Sequence, residues 1–131
     1  MLGAVVWYGA ALVGNCDGSE PKPAAPPELG DVAWRRGLEL AAQAARKDGK
    51  PLLVLFDEVP GCETCKGYGR NVLTHPLLVE AIETCFVPVA VYNNIPGADE
   101  QTLKAFKEPA WNNPVVRIID AESSEPPTPV G

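Results

Sequence analysis

The sequence predicts an α/β domain in which helices pack on a central sheet. Two observations support this class. Short, continuous apolar runs are typical of strands buried on both faces, and the segments between them repeat apolar residues at helical spacing. The predicted elements follow the order helix, strand, helix, helix, strand, helix, strand. A chain of 131 residues corresponds to one such domain.

The first predicted helix and strand have clear boundary signals. Asp31 is suited to cap a helix over residues 32–48, and Gly49 stands just past the end of that helix. Residues 51–56 form a continuous apolar run, as expected for a central strand covered on both sides. The apolar stripe of the helix consists of Trp34, Leu38, Ala41, Ala42 and Ala45. Its many alanines favour close packing against a sheet.

The remaining predicted elements alternate in the same way. One helix starts at a Cys-x-x-Cys pair, and Thr74-His75-Pro76 opens another that carries Leu78, Ile82 and Cys85 on one side. Strands over residues 86–92 and 115–119 flank a short helix over residues 99–107. The lengths between the strands exclude a two-stranded hairpin. Strands that are neighbours in one sheet should therefore pair in parallel through right-handed crossovers.

Residues 1–16 form an apolar leader. Its apolar run is shorter than the ~20 residues of a membrane helix and lacks the positive charges that precede a signal sequence. An apolar segment, then Cys16, then a Pro-rich tether resembles the start of a bacterial lipoprotein, although Asn15 stands where a small residue is usual. This predicts a location in the cell envelope or periplasm with a membrane tether through the N-terminus. A cytoplasmic protein with a bland apolar leader is the alternative.

Composition divides the rest of the chain into three parts. Residues 17–30 are Pro-rich without an apolar period, which predicts a linker. Residues 31–120 contain all the predicted helices and strands and form the domain. Residues 121–131 are polar and Pro-rich, and they predict a disordered tail or a truncated end.

Charge and cysteine content exclude two classes of protein. The net charge is −6 and the pI is about 4.7, whereas neutralising phosphates requires clustered Lys and Arg, so nucleic acid is not a predicted partner. The 4 cysteines are too few for a disulfide-rich scaffold. Among them, Cys62 and Cys65 stand close together in sequence.

The Cys62-x-x-Cys65 motif predicts a redox site. Its spacing places two thiols within one helical turn, and a buried strand with a Pro-Gly turn precedes it. Cys62 would lie at a helix N-terminus, where free backbone N–H groups and the helix dipole favour the thiolate. Such positions lower a cysteine pKa from ~8.5 to about 3.5–7.5. Cys62 would therefore be the attacking thiolate and Cys65 the resolving thiol, with no cofactor.

Two other interpretations of the cysteine pair remain open. The pair could form an inert structural disulfide, or it could be half of a metal site. Zinc normally requires four ligands, and the chain has no second Cys-x-x-Cys. His75 and Cys85 could complete a ligand set, but Cys85 fits the apolar stripe better, as a small buried hydrophobe. His75 fits better as a helix-start residue beside Pro76.

Several segments together resemble the thioredoxin-like superfamily, in particular its exported thioredoxin domains. The resemblance covers roughly residues 32–120. The matching residues are Trp34, Gly49-Lys50-Pro51, the strand 52–56, Cys62-Glu63-Thr64-Cys65-Lys66, Phe86-Val87-Pro88-Val89 and Asn113-Pro114-Val115-Val116. The resemblance implies a thioredoxin-like α/β fold, with a central mixed sheet flanked by helices.

The resemblance also implies a function and a set of site residues. Pro114 would be the cis-proline beside the cysteines, and Asn113, Pro114 and Gly61 would line the groove that receives a substrate. The implied activity is thiol–disulfide exchange, catalysed by Cys62 and Cys65 on protein or small-molecule disulfides, with a redox partner protein. The alternative is a non-catalytic thioredoxin-fold binding module whose disulfide is structural. Whether the protein oxidises or reduces its substrate depends on its potential and its partner.

The chain departs from the usual thioredoxin pattern in three places. Glu63-Thr64 stand between the cysteines in place of Gly-Pro, so the family's redox potential cannot be carried over. Leu55 occupies the position of the family's buried Asp, and Asp57 or Glu58 could take over proton transfer from a different place. The family's last strand and C-terminal helix have no counterpart after Asp120. Trp111 is expected either in the core or at the groove.

Overall fold

The computed structural model describes residues 24–122. The predicted leader at residues 1–16, the start of the linker and the tail from residue 123 onwards lie outside the described residues. No helix within the described range is long and apolar enough to cross a membrane. The elements, in chain order, are a 3₁₀ helix Pro27–Leu29, α1 Leu38–Asp48, β1 Leu52–Asp57, α2 Glu63–Asn71, α3 Pro76–Cys85, β2 Val87–Tyr92, α4 Ala98–Phe106 and β3 Val115–Ile119.

The sheet is mixed, with the strand order β2-β1-β3. β1 pairs in parallel with β2 and antiparallel with β3. The expected parallel crossover therefore holds for β1 and β2. It does not apply between β2 and β3, because β1 separates them. This sheet confirms the expected thioredoxin-like class, and within the described residues no strand or helix follows β3.

The central strand β1 divides the core into two halves. All six residues of β1 are buried, and successive side chains point to opposite faces. Leu52, Val54 and Phe56 pack with α1 and α4 on one face, where the rings of Phe56 and Phe106 lie 5.5 Å apart between centroids. The opposite face packs against residues of the 3₁₀ helix, of α3 and of the segments next to α2. Because both faces are covered, β1 is held rigidly, and so is the site at its C-terminal end.

Helix α1 begins at Leu38, so the predicted start near residue 32 is wrong, and Asp31 does not cap it. The preceding chain runs alongside β2 instead. The Arg35 N–H donates to the Pro88 carbonyl at 2.9 Å, and the Arg35 carbonyl accepts from the Ala90 N–H at 3.0 Å. These bonds satisfy backbone groups at the outer edge of β2, and they keep Arg35 out of the helix.

The folded unit begins before residue 31, which differs from the linker expected over residues 17–30. The 3₁₀ helix Pro27–Leu29 lies within that range, and its Glu28 and Leu29 side chains are buried. Apolar periodicity could not reveal this turn, because only three residues form it.

Cys85, which was expected in the core, and Trp111, for which the core was one of two expected places, are both exposed. Cys85 is the last residue of α3, and unlike Ile82 it is not covered. Trp111 lies in the loop between α4 and β3, with 82% of its surface exposed. Both positions are at the end of an element or in a turn, where apolar periodicity no longer determines which side faces the core.

Candidate active site

The two cysteines of the motif lie where β1 passes into α2. β1 ends at Asp57, a tight loop follows, and Cys62 occupies the N-cap position of α2 with an extended backbone, φ −73° and ψ 177°. Cys65 lies within the first turn of the helix. Both cysteines are free thiols, and their sulfur atoms are 3.7 Å apart. A shift of less than 2 Å would bring them to the ~2.05 Å of a disulfide bond.

Cys62 is the exposed thiol of the pair. The backbone N–H groups of Cys65 and Thr64, in the first turn of α2, stabilise its thiolate and lower the pKa of Cys62 below the ordinary 9.0. This is the helix N-terminus effect that the motif predicted. A sulfur that is both exposed and partly ionised can act as a nucleophile.

Cys65 is fully buried. Its sulfur lies 3.0 Å from Oδ1 of Asn113, to which the thiol donates a hydrogen bond. Burial, followed by the neighbouring Asp57, raises the pKa of Cys65 to about 12. The pKa values of two thiols only three residues apart are therefore shifted in opposite directions. One thiol lies at the helix tip, and the other lies in the buried layer beneath it, here called the floor, with Asp57 and Asn113.

Asp57 is the buried acid of this floor, with no exposed surface. Oδ1 accepts the Glu58 N–H at 2.9 Å, while Oδ2 has no hydrogen-bond partner among the described residues. Desolvation raises the pKa of Asp57, and the Cys65 thiol beside it favours the ionised form. Of the two acids considered for proton transfer, Asp57 is the buried one next to Cys65. Its free oxygen could accept the thiol proton.

Three further residues singled out from the sequence lie in the segments next to the cysteines. Asn113 touches Cys65, and Pro114 follows it across a cis peptide bond. Gly61 packs so closely that an added Cβ would lie 2.2 Å from the Glu58 carbonyl oxygen and 2.7 Å from the Cys65 Cβ. Only glycine fits there without a shift of the backbone.

Sequence reasoning missed the side chains that hold the two loops in place. Asn94 accepts the Val59 N–H at 3.2 Å and donates to the Pro60 carbonyl at 3.4 Å, which fixes the loop before Cys62. Buried Glu108 binds Arg117 at 2.7 Å and the Asn112 amide at 2.8 Å, which fixes the loop before Pro114. Neither residue belongs to a local motif, so the sequence carried no signal for these roles.

Glu28 is the third residue that the sequence did not reveal. It lies in the 3₁₀ helix with 1% of its surface exposed. The Gly61 N–H donates to its Oε1 at 2.8 Å. A residue from the expected linker therefore contacts the loop immediately before Cys62.

Three potential metal donors meet at the site. The donor atoms of Glu58, Cys62 and Cys65 all lie within 4.8 Å of one another. His75 is the N-cap residue of α3 and does not belong to this group. Two thiols and a carboxylate suit zinc, with a fourth position left for another ligand.

A mixed sheet, with a Cys-x-x-Cys pair at the tip of the helix after its central strand and a cis-proline loop beside it, defines a thioredoxin-fold protein. Residues 33–121 match a family model described as Thioredoxin-like, and the chain belongs to this family. Among solved structures it is similar to a DsbH oxidoreductase, with a TM-score of 0.59 and 21% identity over 82% of this chain and 78% of that one. This likeness supports the fold. A search of curated proteins found no significant match.

Proposed function

We propose that this protein is a thiol–disulfide oxidoreductase acting on protein or small-molecule disulfides and dithiols. The observation that supports this proposal is that the two cysteines differ in exposure and in pKa. Exposed Cys62 has a lowered pKa, and buried Cys65, 3.7 Å away, has a pKa raised to about 12. Such a pair separates the attacking thiol from the resolving one.

In the reductive direction, the Cys62 thiolate attacks one sulfur of a substrate disulfide. The substrate S–S bond breaks, a mixed disulfide forms on Cys62, and the other substrate sulfur leaves as a thiolate. The amides of Cys65 and Thr64 hold the Cys62 charge before the attack. The attack requires an exposed sulfur, which is the state of Cys62.

Cys65 completes the exchange from the buried side. Its thiol transfers a proton to the Asp57 carboxylate, and the resulting thiolate attacks the Cys62 sulfur. The mixed disulfide breaks, the Cys62–Cys65 disulfide forms, and the second substrate sulfur leaves and takes up the proton held by Asp57. The first substrate thiolate is protonated from water. The substrate has gained two electrons and two protons, and a reduced partner dithiol must restore the pair. The reverse sequence oxidises a substrate dithiol.

Asn113, Pro114 and Gly61 are the proposed lining of the substrate groove. Asn113 lies 3.0 Å from the Cys65 sulfur and Gly61 directly precedes Cys62, so a substrate attacked at Cys62 would pass close to both. We also propose an envelope or periplasmic location with a tether through Cys16. It rests on the apolar leader and the Pro-rich segment of the sequence.

The reduction potential of the Cys62–Cys65 pair tests the proposal. The full chain is equilibrated in graded thiol–disulfide buffers, alkylated, and mapped by mass. We expect a reversible two-electron transition between about −120 and −270 mV, the range of working oxidoreductases. A pair that stays oxidised below about −300 mV would overturn the proposal and favour the binding module with a structural disulfide.

The meeting of Glu58, Cys62 and Cys65 favours a second candidate function, a zinc site in the reduced protein. Titrating the reduced protein with Zn²⁺ at neutral pH tests it. Tight stoichiometric binding that Glu58→Gln weakens and Cys62→Ser abolishes would support this site. Binding that is unaffected by Glu58→Gln would exclude the three-donor arrangement.

A further inference from the structure

We infer that Glu28 is a positioning residue for Cys62: its buried carboxyl group holds the Gly61 N–H, and with it the loop that places the Cys62 sulfur at the tip of α2. The inference rests on the proposed function and adds a residue to its machinery. Glu28 lies outside the residues 33–121 that match the family, so family membership does not assign it this role.

The contact between Glu28 and Gly61 is specific. Oε1 accepts the Gly61 N–H at 2.8 Å across 33 residues of sequence. Glu28 is 1% exposed, and a carboxyl group so deeply buried is costly unless hydrogen bonds replace its water. A side chain that served only to fill this space would be apolar. The acid is placed where a backbone donor needs a partner.

The position of Glu28 is itself rigid. The 3₁₀ helix packs directly on α2, where a Cβ at Gly69 would lie 1.9 Å from the Pro27 carbonyl oxygen. Leu29 is buried in the core beneath, and its carbonyl accepts the Trp34 indole N–H at 2.8 Å. The Asp31 N–H donates to the Leu73 carbonyl at 2.9 Å, just past the buried turn. Glu28 therefore offers a fixed acceptor to the loop.

The loop that Glu28 holds has little freedom left. Asn94 binds it at Val59 and Pro60, and Glu28 binds it at Gly61, so both ends of the turn are fixed. Gly61 is bonded directly to Cys62. A turn of the Gly61 peptide would move the Cys62 sulfur relative to the amides of Thr64 and Cys65, which stabilise its thiolate. Even a small displacement of the sulfur matters, because catalytic groups act only within a narrow range of distances and angles.

Three variants of the full chain separate the hydrogen bond from charge and packing. Glu28→Gln keeps an oxygen acceptor and removes the charge. Glu28→Asp keeps the charge, but its shorter side chain no longer reaches Gly61. Glu28→Ala removes both. The matched control is Leu29→Ala, which weakens packing of the same turn and leaves the acceptor in place.

The readouts are the alkylation rate of Cys62 by iodoacetamide at neutral pH, its pH profile, and the exchange rate with an aromatic disulfide. Glu28→Ala and Glu28→Asp should slow alkylation about two- to tenfold, the equivalent of one lost hydrogen bond, and shift the profile to higher pH. Glu28→Gln should stay within about twofold of wild type. Leu29→Ala should lower the melting temperature and keep the wild-type rate. Circular dichroism verifies that each variant is folded.

Each outcome decides the inference. Wild-type reactivity in folded Glu28→Asp or Glu28→Ala would overturn it. Glu28→Gln that is as slow as Glu28→Ala would also overturn it, because charge and not the hydrogen bond would then matter. If Glu28→Ala does not fold, the alkylation rates of Glu28→Asp and Glu28→Gln still test whether the hydrogen bond matters. Failure of the proposed function is distinguishable, because wild type would then not exchange with the disulfide while alkylation still followed Glu28.

Discussion

The helix tip and the floor beneath it, only three residues apart in sequence, give the same chemical group opposite properties. At the tip, Cys62 is exposed and faces amides of α2, which lower its pKa. In the floor, Cys65 is enclosed by Asp57 and Asn113, and its pKa rises to about 12. The local fold, and not the type of residue, therefore sets the direction of each pKa shift. In the proposed exchange, the helix terminus would supply the nucleophile and the buried acid would supply the proton acceptor.

The largest expected effect comes from removing one thiol at a time. Cys62→Ser should abolish exchange with a model disulfide, because no other exposed thiol of residues 24–122 lies at the helix tip. Cys65→Ser should still attack, and should accumulate mixed disulfides on Cys62, since the resolving thiol is absent. Mass spectrometry of non-reduced samples detects these species.

Cys85→Ser is the matched control, because Cys85 is also an exposed free thiol. Its exchange rate should equal that of wild type. Exchange at the wild-type rate by Cys62→Ser would contradict the assignment of the nucleophile.

The second prediction concerns selectivity between the two thiols. With a pKa of about 12, Cys65 holds on the order of one part in 10⁵ of thiolate at pH 7. Limited iodoacetamide treatment of the reduced protein should therefore modify Cys62 long before Cys65. Cys62 should remain reactive below pH 9.0, the ordinary value of its pKa. Peptide mapping at several pH values measures the labelling of each cysteine. Equal labelling of Cys62 and Cys65 at neutral pH would contradict the predicted difference in their pKa values.

Replacing Asp57 with Asn removes the proposed proton acceptor of Cys65. Asp57→Asn leaves Cys62 at the tip unchanged but gives Cys65 no carboxylate, so resolution of the mixed disulfide should slow by about a hundredfold, the low end of the range for a positioned acid or base. The first attack should keep its rate. Rapid-mixing kinetics separate the two phases. Slowing of the first phase alone would place Asp57 in a different role.

The same substitution should change how stability depends on pH. Burial raises the pKa of Asp57 above 3.8, so the folded state holds a proton that the unfolded state has already released. Stability should therefore fall as pH rises from about 3.8 through the folded pKa. In Asp57→Asn this fall should disappear, and the variant should be more stable at neutral pH. Urea unfolding at a series of pH values measures it.

The sequence correctly predicted the features that short local patterns determine. The three strands lie within one residue of their expected ranges, because continuous apolar runs need no long-range information. Cys62 and Cys65 came from a four-residue motif, and Asp57 was one of two acids considered, because the thioredoxin resemblance implies a buried acid near the site. The thioredoxin-like class followed from a few short segments along the chain.

The sequence could not predict what long-range contacts determine. The start of α1 was wrong because Arg35 pairs with Val89 in β2, and this pairing overrides a helical pattern. Glu28 and Asn94 reach the loop before Cys62 across 33 and 35 residues, and no spacing rule connects them. The residues proposed to react are therefore visible in the sequence, while those that hold them became visible only in the structure.

The smallest expected effect tests the exposed loop before Asn113, here called the rim. Trp111 is 82% exposed, two residues before Asn113, in a loop that Asn93 and Asn112 hold rigid. An exposed indole on a rigid loop is suited to contact a polypeptide, since it offers a large apolar area at little entropic cost. Trp111→Ala should raise KM for an unfolded disulfide-bonded protein by about three- to tenfold, equivalent to about 1 kcal/mol. A small aromatic disulfide should react at the wild-type rate.

Leu77→Ala is the control for Trp111→Ala, because it removes a side chain that is 71% exposed from α3. It should leave both substrates unaffected. If Trp111→Ala slowed both substrates equally, the indole would be supporting the loop of Asn113 and so the floor. A loss confined to the protein substrate would make the rim a region separate from the tip and the floor. The chemistry would then depend on two thiols and one acid, and the choice of substrate on the loop beside them.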